Sequence, residues 1–453
     1  MKNMRPTLLI ASIVAAFACS PAQAQTNEEL IKELKALRAR VDELEKKVAT
    51  PTEPKWGMTP EQVQEFNKLS VKTEAIEDAQ ESSGYKGLKI SGYIEPVYEY
   101  NRRQNRSGFQ FLNQQSDGYS YDTSFMGAAS LDLLKETSSG THWHLTLSPN
   151  RGVGAGIDGA SVVQEASVSI PLSDLSHRLI VGQIPDWSGY EYQQPTLNPL
   201  TSHNLLYDFT LPFGYTGIGL DIKDGKWWVR TALANVNQTI HNANQKAPVW
   251  AFRVDYSKGE FDGWGFASLI GKSPNYNTGY NTMAVLTEVD GYFTRGDLTF
   301  QGQFSYGQQQ KGAITPDVDG NWRNSQWFGA SGLAGLMFTP RLQALIRADY
   351  IHNSKNGGGL YTYNGYTTTD ENGALVYGYD GRNGIGPDVN GDVNRGANRY
   401  ALTTGLKYAY DTVTTMKMEY RLDGADRAVF DDVKTGTVKK VNSMLIGSVV
   451  VAF

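Results

Sequence analysis

The chain has 453 residues with a net charge of -5, and it is rich in glycine (47), tyrosine (25) and aromatic residues as a whole (11%). So mild a charge leaves no basic footprint for nucleic acid, and beyond the N-terminus no stretch offers the roughly 20 consecutive apolar residues that a membrane-crossing helix needs. Any crossing of a bilayer would fall to strands closed into a barrel, the other arrangement that satisfies every backbone polar group internally.

The first 24 positions read as a secretory signal: Lys2 and Arg5, an apolar run from Leu8 to Ala18, then Ala22-Gln23-Ala24 as the cleavage box. Cleavage there would start the mature chain at Gln25 and remove Cys19, the single cysteine. Disulfides and thiolate metal sites are then excluded, and neither metal nor cofactor is expected. Residues 25–50 follow with Leu30, Leu34, Leu37, Val41, Leu44 and Val48 at alternating spacings of four and three, the seam of a coiled coil. About three heptads are marginal for a lone helix, so these six positions are assigned to oligomerisation, on the periplasmic side. Residues 51–84 form a linker with a short helix, begun by a Thr59 cap and Pro60 in the first turn.

From Leu88 the period changes to two and stays there. Leu88, Ile90, Ile94, Tyr98 and Tyr100 share one face while Lys89, Ser91, Tyr93, Glu95 and Glu99 share the other. The pattern returns in Leu298, Phe300 and Phe304 against Gln301, Gln303 and Ser305, in Ile346 and Tyr350 against Arg347 and Asp349, and in Met416, Met418 and Tyr420 against Lys417, Glu419 and Arg421. One face is suited to lipid and the other to water. Segments of this kind start near residues 88, 124, 142, 161, 178, 215, 226, 249, 264, 283, 297, 326, 341, 400, 412 and 443. Tight connections such as Lys223-Asp224-Gly225-Lys226 and Arg295-Gly296-Asp297 alternate with long ones such as 101–123, 185–214 and 351–399. The expected fold is all-β: residues 85–453 as a closed antiparallel transmembrane barrel of about sixteen strands, roughly fourteen to eighteen being compatible, preceded by the coiled coil. The last strand, Ser443 to Phe453, carries Leu445, Val449, Val451 and Phe453 on its outward side.

The third long loop, 185–214, is too apolar for a freely solvated excursion: Leu197, Leu200, Leu205, Leu206, Phe209 and Phe213 need a surface to pack on. The inner wall of the barrel is one; the contact between barrels of an oligomer is the other. Folded inward, the loop would carry Asp186, Glu191, His203 and Asp208 to a constriction. Wall charges facing the lumen would include Glu95, Glu99, Arg230, Arg253, Asp255, Glu288, Arg347, Asp349, Lys417, Glu419 and Arg421, with Lys89, Asp132, Glu165, Asp221, Asp290 and Lys407 as further candidates. Both signs are interleaved and neither forms a ring, so no ionic preference is legible. Arg102, Arg103 and Arg106 in the first loop form a basic cluster suited to the phosphates of lipopolysaccharide.

Two weaker patterns recur downstream. Asp388, Asn390, Asp392 and Asn394 alternate oxygen donors as calcium loops do, but the twelfth position is Arg399 where a bidentate Glu would be required, and a turn is expected instead. His142, His144 and Ser148, or Ser202, His203 and Asp208, supply pieces of a hydrolase triad without a nucleophile elbow, so no enzyme is expected.

Gly87 to Asn101 (GLKISGYIEPVYEYN), Phe109 to Asn113 (FQFLN), Val181-Gly182-Gln183 and above all His203 to Leu220 (HNLLYDFTLPFGYTGIGL) resemble an uncharacterised family of proteobacterial outer-membrane proteins, a domain of unknown function. More loosely they are similar to β-barrel porins of the OmpL type. The likeness spans roughly residues 84–453 and implies a barrel without implying its cargo. The final strand resembles the last staves of outer-membrane barrels, which implies delivery by the barrel-assembly machinery. A coiled coil ahead of a barrel resembles the sucrose-specific porins, which implies a homo-oligomer, a trimer above other states. The expected function is a passive channel for small hydrophilic solutes in the outer membrane of a Gram-negative bacterium. The competing expectation is a barrel with a closed pore that tethers the envelope or binds a periplasmic or surface partner.

Overall fold

The computed structural model describes residues 59–82, 85–112, 126–149, 162–237, 246–275, 277–361, 366–369, 375–378, 385–388 and 391–453, with positions 35 and 39. The expected signal and the coiled-coil positions Leu30, Leu34, Leu37, Val41, Leu44 and Val48 lie outside these residues. The chain divides into two units, Met1–Lys86 and Gly87–Phe453. In the first, a helix runs over Pro60–Ser82. The Gln62 amide donates to Thr59 Oγ1 at 3.3 Å while the Thr59 amide donates to Gln62 Oε1 at 2.9 Å. This reciprocal box satisfies two N–H groups that the first turn leaves orphaned. The apolar stripe is thin: Val63 is buried, but Phe66 and Leu69 are exposed.

The second unit is built on one closed sheet, with two small hairpins in its loops, Tyr366–Thr369 with Leu375–Gly378 and Phe430–Asp432 with Thr437–Lys439, and every pairing is antiparallel. The eighteen segments of the closed sheet make sixteen staves, because Val97–Asn101 continues Leu88–Ile94 and Arg106–Gln110 is a short hairpin arm laid against that continuation. The remaining fifteen are Ala129–Glu136, His142–Leu147, Val163–Pro171, His177–Pro185, Gly214–Asp224, Trp227–Val236, Val249–Ser257, Asp262–Ser273, Thr282–Arg295, Leu298–Gln309, Ser325–Thr339, Leu342–His352, Arg399–Ala409, Thr414–Ala425 and Val441–Ala452. The last stave pairs with Thr414–Ala425 on one side and with the first stave on the other, from Tyr93↔Ala452 to Asn101↔Met444. Gly92 and Phe453 then exchange backbone hydrogen bonds of 3.2 and 3.0 Å. Closure gives each of the sixteen staves a partner on both sides.

The first stave breaks at Glu95-Pro96, where proline offers no N–H to the ladder. Before the break its partner is Ala129–Lys135, and after it the partner is Arg106–Gln110. The first loop thus builds wall of its own, and the second stave begins at Ala129 where the sequence pattern placed it near 124, a position outside the described residues. The fourth begins at Val163, two positions past the expected start.

Period two decides which side chains face where. Phe304 is 51% exposed on the outside, and its neighbour Ser305 is fully buried on the inside. Ile346, Tyr350, Met418 and Tyr420 are likewise exposed, whereas Arg347, Asp349, Lys417, Glu419 and Arg421 are buried. A soluble sandwich distributes its apolar residues the other way round. The inward face is not uniformly polar, since Val97, Leu345, Met444 and Ile446 are buried there. One end of the barrel carries tight turns. Gly225 (φ 57°) and Gly296 (φ 59°) sit in two-residue connections whose twist requires positive φ. In the turn after Arg399–Ala409, the Val413 amide and then the Thr414 amide bond the Asp411 carboxylate and hold its pKa below the usual range. The long loops leave from the other end.

Candidate functional site

The third long loop, 186–213, folds into the lumen. Leu200, Leu205, Leu206, Phe209 and Leu211 are all 2% exposed or less, and each such burial contributes about 1.5–3 kcal/mol. Leu197 remains exposed and Phe213 is half-buried. Leu205–Thr210 is a short helix capped by Asn204, whose side chain accepts the Tyr207 amide at 2.9 Å. The wall opposite makes room by lacking side chains. A Cβ on Gly405 would stand 2.5 Å from the Leu200 Cδ2, and one on Gly329 would collide with the Leu206 Cδ2. Gly329→Val is therefore expected to destabilise the folded barrel by about 1–3 kcal/mol, the cost of overpacking. The midpoint of its heat-induced mobility shift on electrophoresis should fall accordingly.

Charges fasten the loop where its leucines do not. Arg347, fully buried, donates from Nη1 to Glu191 Oε1 (2.9 Å) and the Ser202 carbonyl (2.6 Å), and from Nη2 to the His203 carbonyl (2.7 Å) and Ser202 Oγ (3.2 Å). Its Nε reaches Asp349 at 3.3 Å. Arg421 donates to the same His203 carbonyl at 2.7 Å, and Lys417 Nζ donates to the carbonyls of Pro195 (2.7 Å) and Leu200 (3.2 Å). Glu419 closes the set by accepting the Thr201 and Ser202 amides, one on each oxygen, at 2.9 Å. Lumen cations thus hold loop carbonyls and a lumen anion holds loop amides. Charge-assisted bonds of this kind are about twice as strong as neutral ones.

At the start of the loop, Asp186 accepts the Tyr215 hydroxyl (2.5 Å) and the Ser188 amide (2.9 Å) and hydroxyl (3.0 Å). Burial nonetheless dominates and pushes its carboxyl up to about 6, against the pull of Tyr215, Ser188 and the Arg253 charge. Burial also raises the Glu191 carboxyl, against the charge of Arg347. The Gly189 amide donates to Glu288, and Tyr190 hydrogen-bonds Ser331 at 2.7 Å. Asn198 braces the loop across itself, accepting the Tyr192 amide at 2.9 Å and donating to its carbonyl at 2.5 Å.

Beside the fastened loop an open cavity of about 640 Å³ remains, bounded by 186–192 on the loop side and by the staves from Val163–Pro171 to Leu298–Gln309 on the other. Seven carboxyl groups line it, Glu165, Asp186, Glu191, Asp221, Asp255, Glu260 and Asp290, with two guanidinium groups, Arg230 and Arg253. Arg253 bonds Asp255 (2.7 Å) and Asp290 (2.6 and 2.9 Å) and lies 3.3 Å from Glu288. Arg230 stacks 4.0 Å over Trp228, lies 5.6 Å from the Trp187 ring, and pairs with Asp255 at 3.0 Å. Tyr192, Tyr256, Trp264, Tyr292 and Gln301 are also among the lining residues.

The four expected constriction residues therefore part company. Asp186 and Glu191 face the cavity; His203 is buried and stacked on Tyr207 at 4.1 Å, and Asp208 is buried in the loop helix, 4.0 Å from Arg421. Of the wall charges, Arg230, Arg253 and Asp255 line the open space. Arg347, Asp349, Lys417, Glu419 and Arg421 are inward-facing but covered by the loop, which corrects their expected place along an open pore. Glu288 is buried behind Gly189, and Glu95 and Glu99 are buried on the first stave, Glu99 3.5 Å from Arg106. In the first loop Arg103 pairs with Asp432 at 2.7 Å and donates to the Val441 carbonyl at 2.8 Å, so part of the cluster expected to meet lipopolysaccharide joins the first loop to the last. His144 bridges Asp132 and Glu165 at 2.8 and 2.9 Å, and the Ser148 hydroxyl donates to the Ala129 carbonyl. Asn390 lies outside the described residues, and Asp392 accepts the Asn394 amide as in a turn. Among the described residues no group of three or more His, Cys, Asp or Glu converges as a metal site would require.

Sequence reasoning passed over Trp187, Trp228, Asn198 and Glu260. The Trp227-Trp228 pair was a visible signal, but only the pleat shows that Trp228 is the inward member.

A family model described as "Protein of unknown function (DUF3138)" matches residues 58–260 and 261–453. No curated protein matches. Among solved structures, the anion-selective porin from Comamonas acidovorans is 11% identical, with 81% of this chain and 99% of that one covered at a TM-score of 0.49. The outer membrane channel DcaP of Acinetobacter baumannii is 12% identical over 81% and 97% at 0.48. Salmonella typhi OmpF in complex with daunomycin is 12% identical over 81% and 97% at 0.49.

Proposed function

The chain belongs to the DUF3138 family, and from that footing we propose that it is an outer-membrane porin, a passive diffusion channel for small hydrophilic solutes. The observation that carries this reading is the cavity of about 640 Å³, lined by charged side chains, left beside a loop fastened to the opposite wall, inside a barrel whose outer face is apolar. A barrel built only to anchor has no need of an inward loop held off one half of the lumen by buried ion pairs. Solute moves down its gradient past Asp186 and Glu191, with no covalent step. The same reading puts the barrel in the outer membrane of a Gram-negative bacterium, delivered by the assembly machinery. It also groups three chains per particle through the Leu30 to Val48 seam.

Purified mature protein added to a planar lipid bilayer is expected to give discrete steps of ion current, grouped in threes if the particle is a trimer. Stable insertion with no current would overturn the porin and favour the tethering barrel.

A further inference from the structure

Resting on the porin reading, we infer that the open passage is cation-selective and admits small cationic solutes ahead of anionic ones. The chain's charges of both signs are nearly balanced, and in sequence they interleave along the staves. The fold leaves only part of them in contact with water. Arg347, Lys417 and Arg421 donate to loop 186–213, Arg347 and Arg421 also to Asp349 and Asp423, and are 5% exposed or less, so they present little charge to passing solute. Seven carboxyl and two guanidinium groups line the cavity; with Glu191, Arg253 and Asp290 buried in ion pairs, Glu165, Asp186, Asp221, Asp255 and Glu260 face the water against Arg230. A narrow aqueous path between low-dielectric walls focuses such a field and concentrates counter-ions along it.

The two guanidinium groups on that side do not reverse the sign. Arg253 is surrounded by Asp255, Glu288 and Asp290, and Arg230 is held between an indole face and Asp255. They also display the chemistry on offer to a guest: a planar cation meets carboxylate oxygens at its edge and the π-face of Trp228 on its flat side. A solute carrying an ammonium or guanidinium group would meet carboxyl groups and indoles of the same kind along this lining, Asp186, Glu260 and Trp187 among them.

The zero-current potential of the full mature chain in a bilayer under a potassium chloride gradient reads the preference directly. Potassium is expected to permeate severalfold faster than chloride near about pH 8. Asp186→Asn with Glu260→Gln should bring the ratio toward one. Acidification through about pH 6 should lower it as well, because Asp186, which faces Tyr215, Arg253 and Glu288, takes up a proton there. Current with equal or faster passage of chloride would overturn the inference while leaving the porin standing. A preference untouched by the double substitution would overturn its assignment to this cavity, and absence of current would remove porin and inference together.

Discussion

Replacing Arg347 by alanine is expected to release loop 186–213 from the wall and open the lumen. The guanidinium is fully buried, pairs with Glu191 and Asp349, and holds the carbonyls of Ser202 and His203. Its removal leaves two buried carboxylates and two carbonyls short of a donor. Breaking a buried ion pair from one side costs about 3–5 kcal/mol, most of it for the charge left behind. Two readouts should move together: single-channel conductance should rise as the loop departs, and the thermal midpoint of the barrel should fall. Arg347→Lys keeps the charge but not the fork, and it should recover only part of either. A variant with unchanged conductance and an unchanged midpoint would show that the leucines alone hold the loop.

The second large effect separates the faces of one stave. Phe304 and Gln301 both lie on Leu298–Gln309; the first points outward and is exposed, and the second lines the cavity. In the proposed setting Phe304 meets hydrocarbon near the middle of its stave. Phe304→Lys is then expected to destabilise the barrel by about 2–4 kcal/mol in lipid, as for a lysine at the bilayer midplane of other barrels. Gln301→Lys meets water and acidic neighbours and should stay within about 0.5 kcal/mol of the parent, the usual range for surface changes. Urea unfolding of both variants in liposomes measures the difference directly. Equal costs would mean that the outer face does not meet lipid.

Much of this architecture is legible without coordinates because its period is local. Side-chain direction alternates residue by residue, so Ile346 and Arg347 are sorted to opposite faces by adjacency alone. The turns are sorted by glycine and aspartate at fixed offsets. That 186–213 needs a surface to pack on is legible too, but the sequence leaves the inner wall and a neighbouring barrel both open, and the fold buries Leu200, Leu205, Leu206 and Phe209 against the wall while Leu197 stays exposed. The second stave is less legible: proline at 96 ends one pairing, and Arg106–Gln110 from the first loop, laid against the first stave's continuation Val97–Asn101, takes up the next.

What a sequence cannot rank is the fate of each inward charge. Parity assigns Arg347 and Arg253 the same face, yet one lies beneath the loop and the other beside the open cavity. Their partners explain why. Glu191 and Arg347 are 156 positions apart, and Thr201 and Glu419 are 218 apart. Such pairs are chosen by where the closed ladder brings staves under the loop and by which glycines, Gly329 and Gly405, let it lie close. Local chemistry, repeated every second residue, is enough to specify a barrel with a lipid-suited exterior and a polar interior. Only closure in three dimensions decides which interior charges are consumed as anchors and which are left facing water, because burial is a property of contacts between distant segments and not of any segment alone.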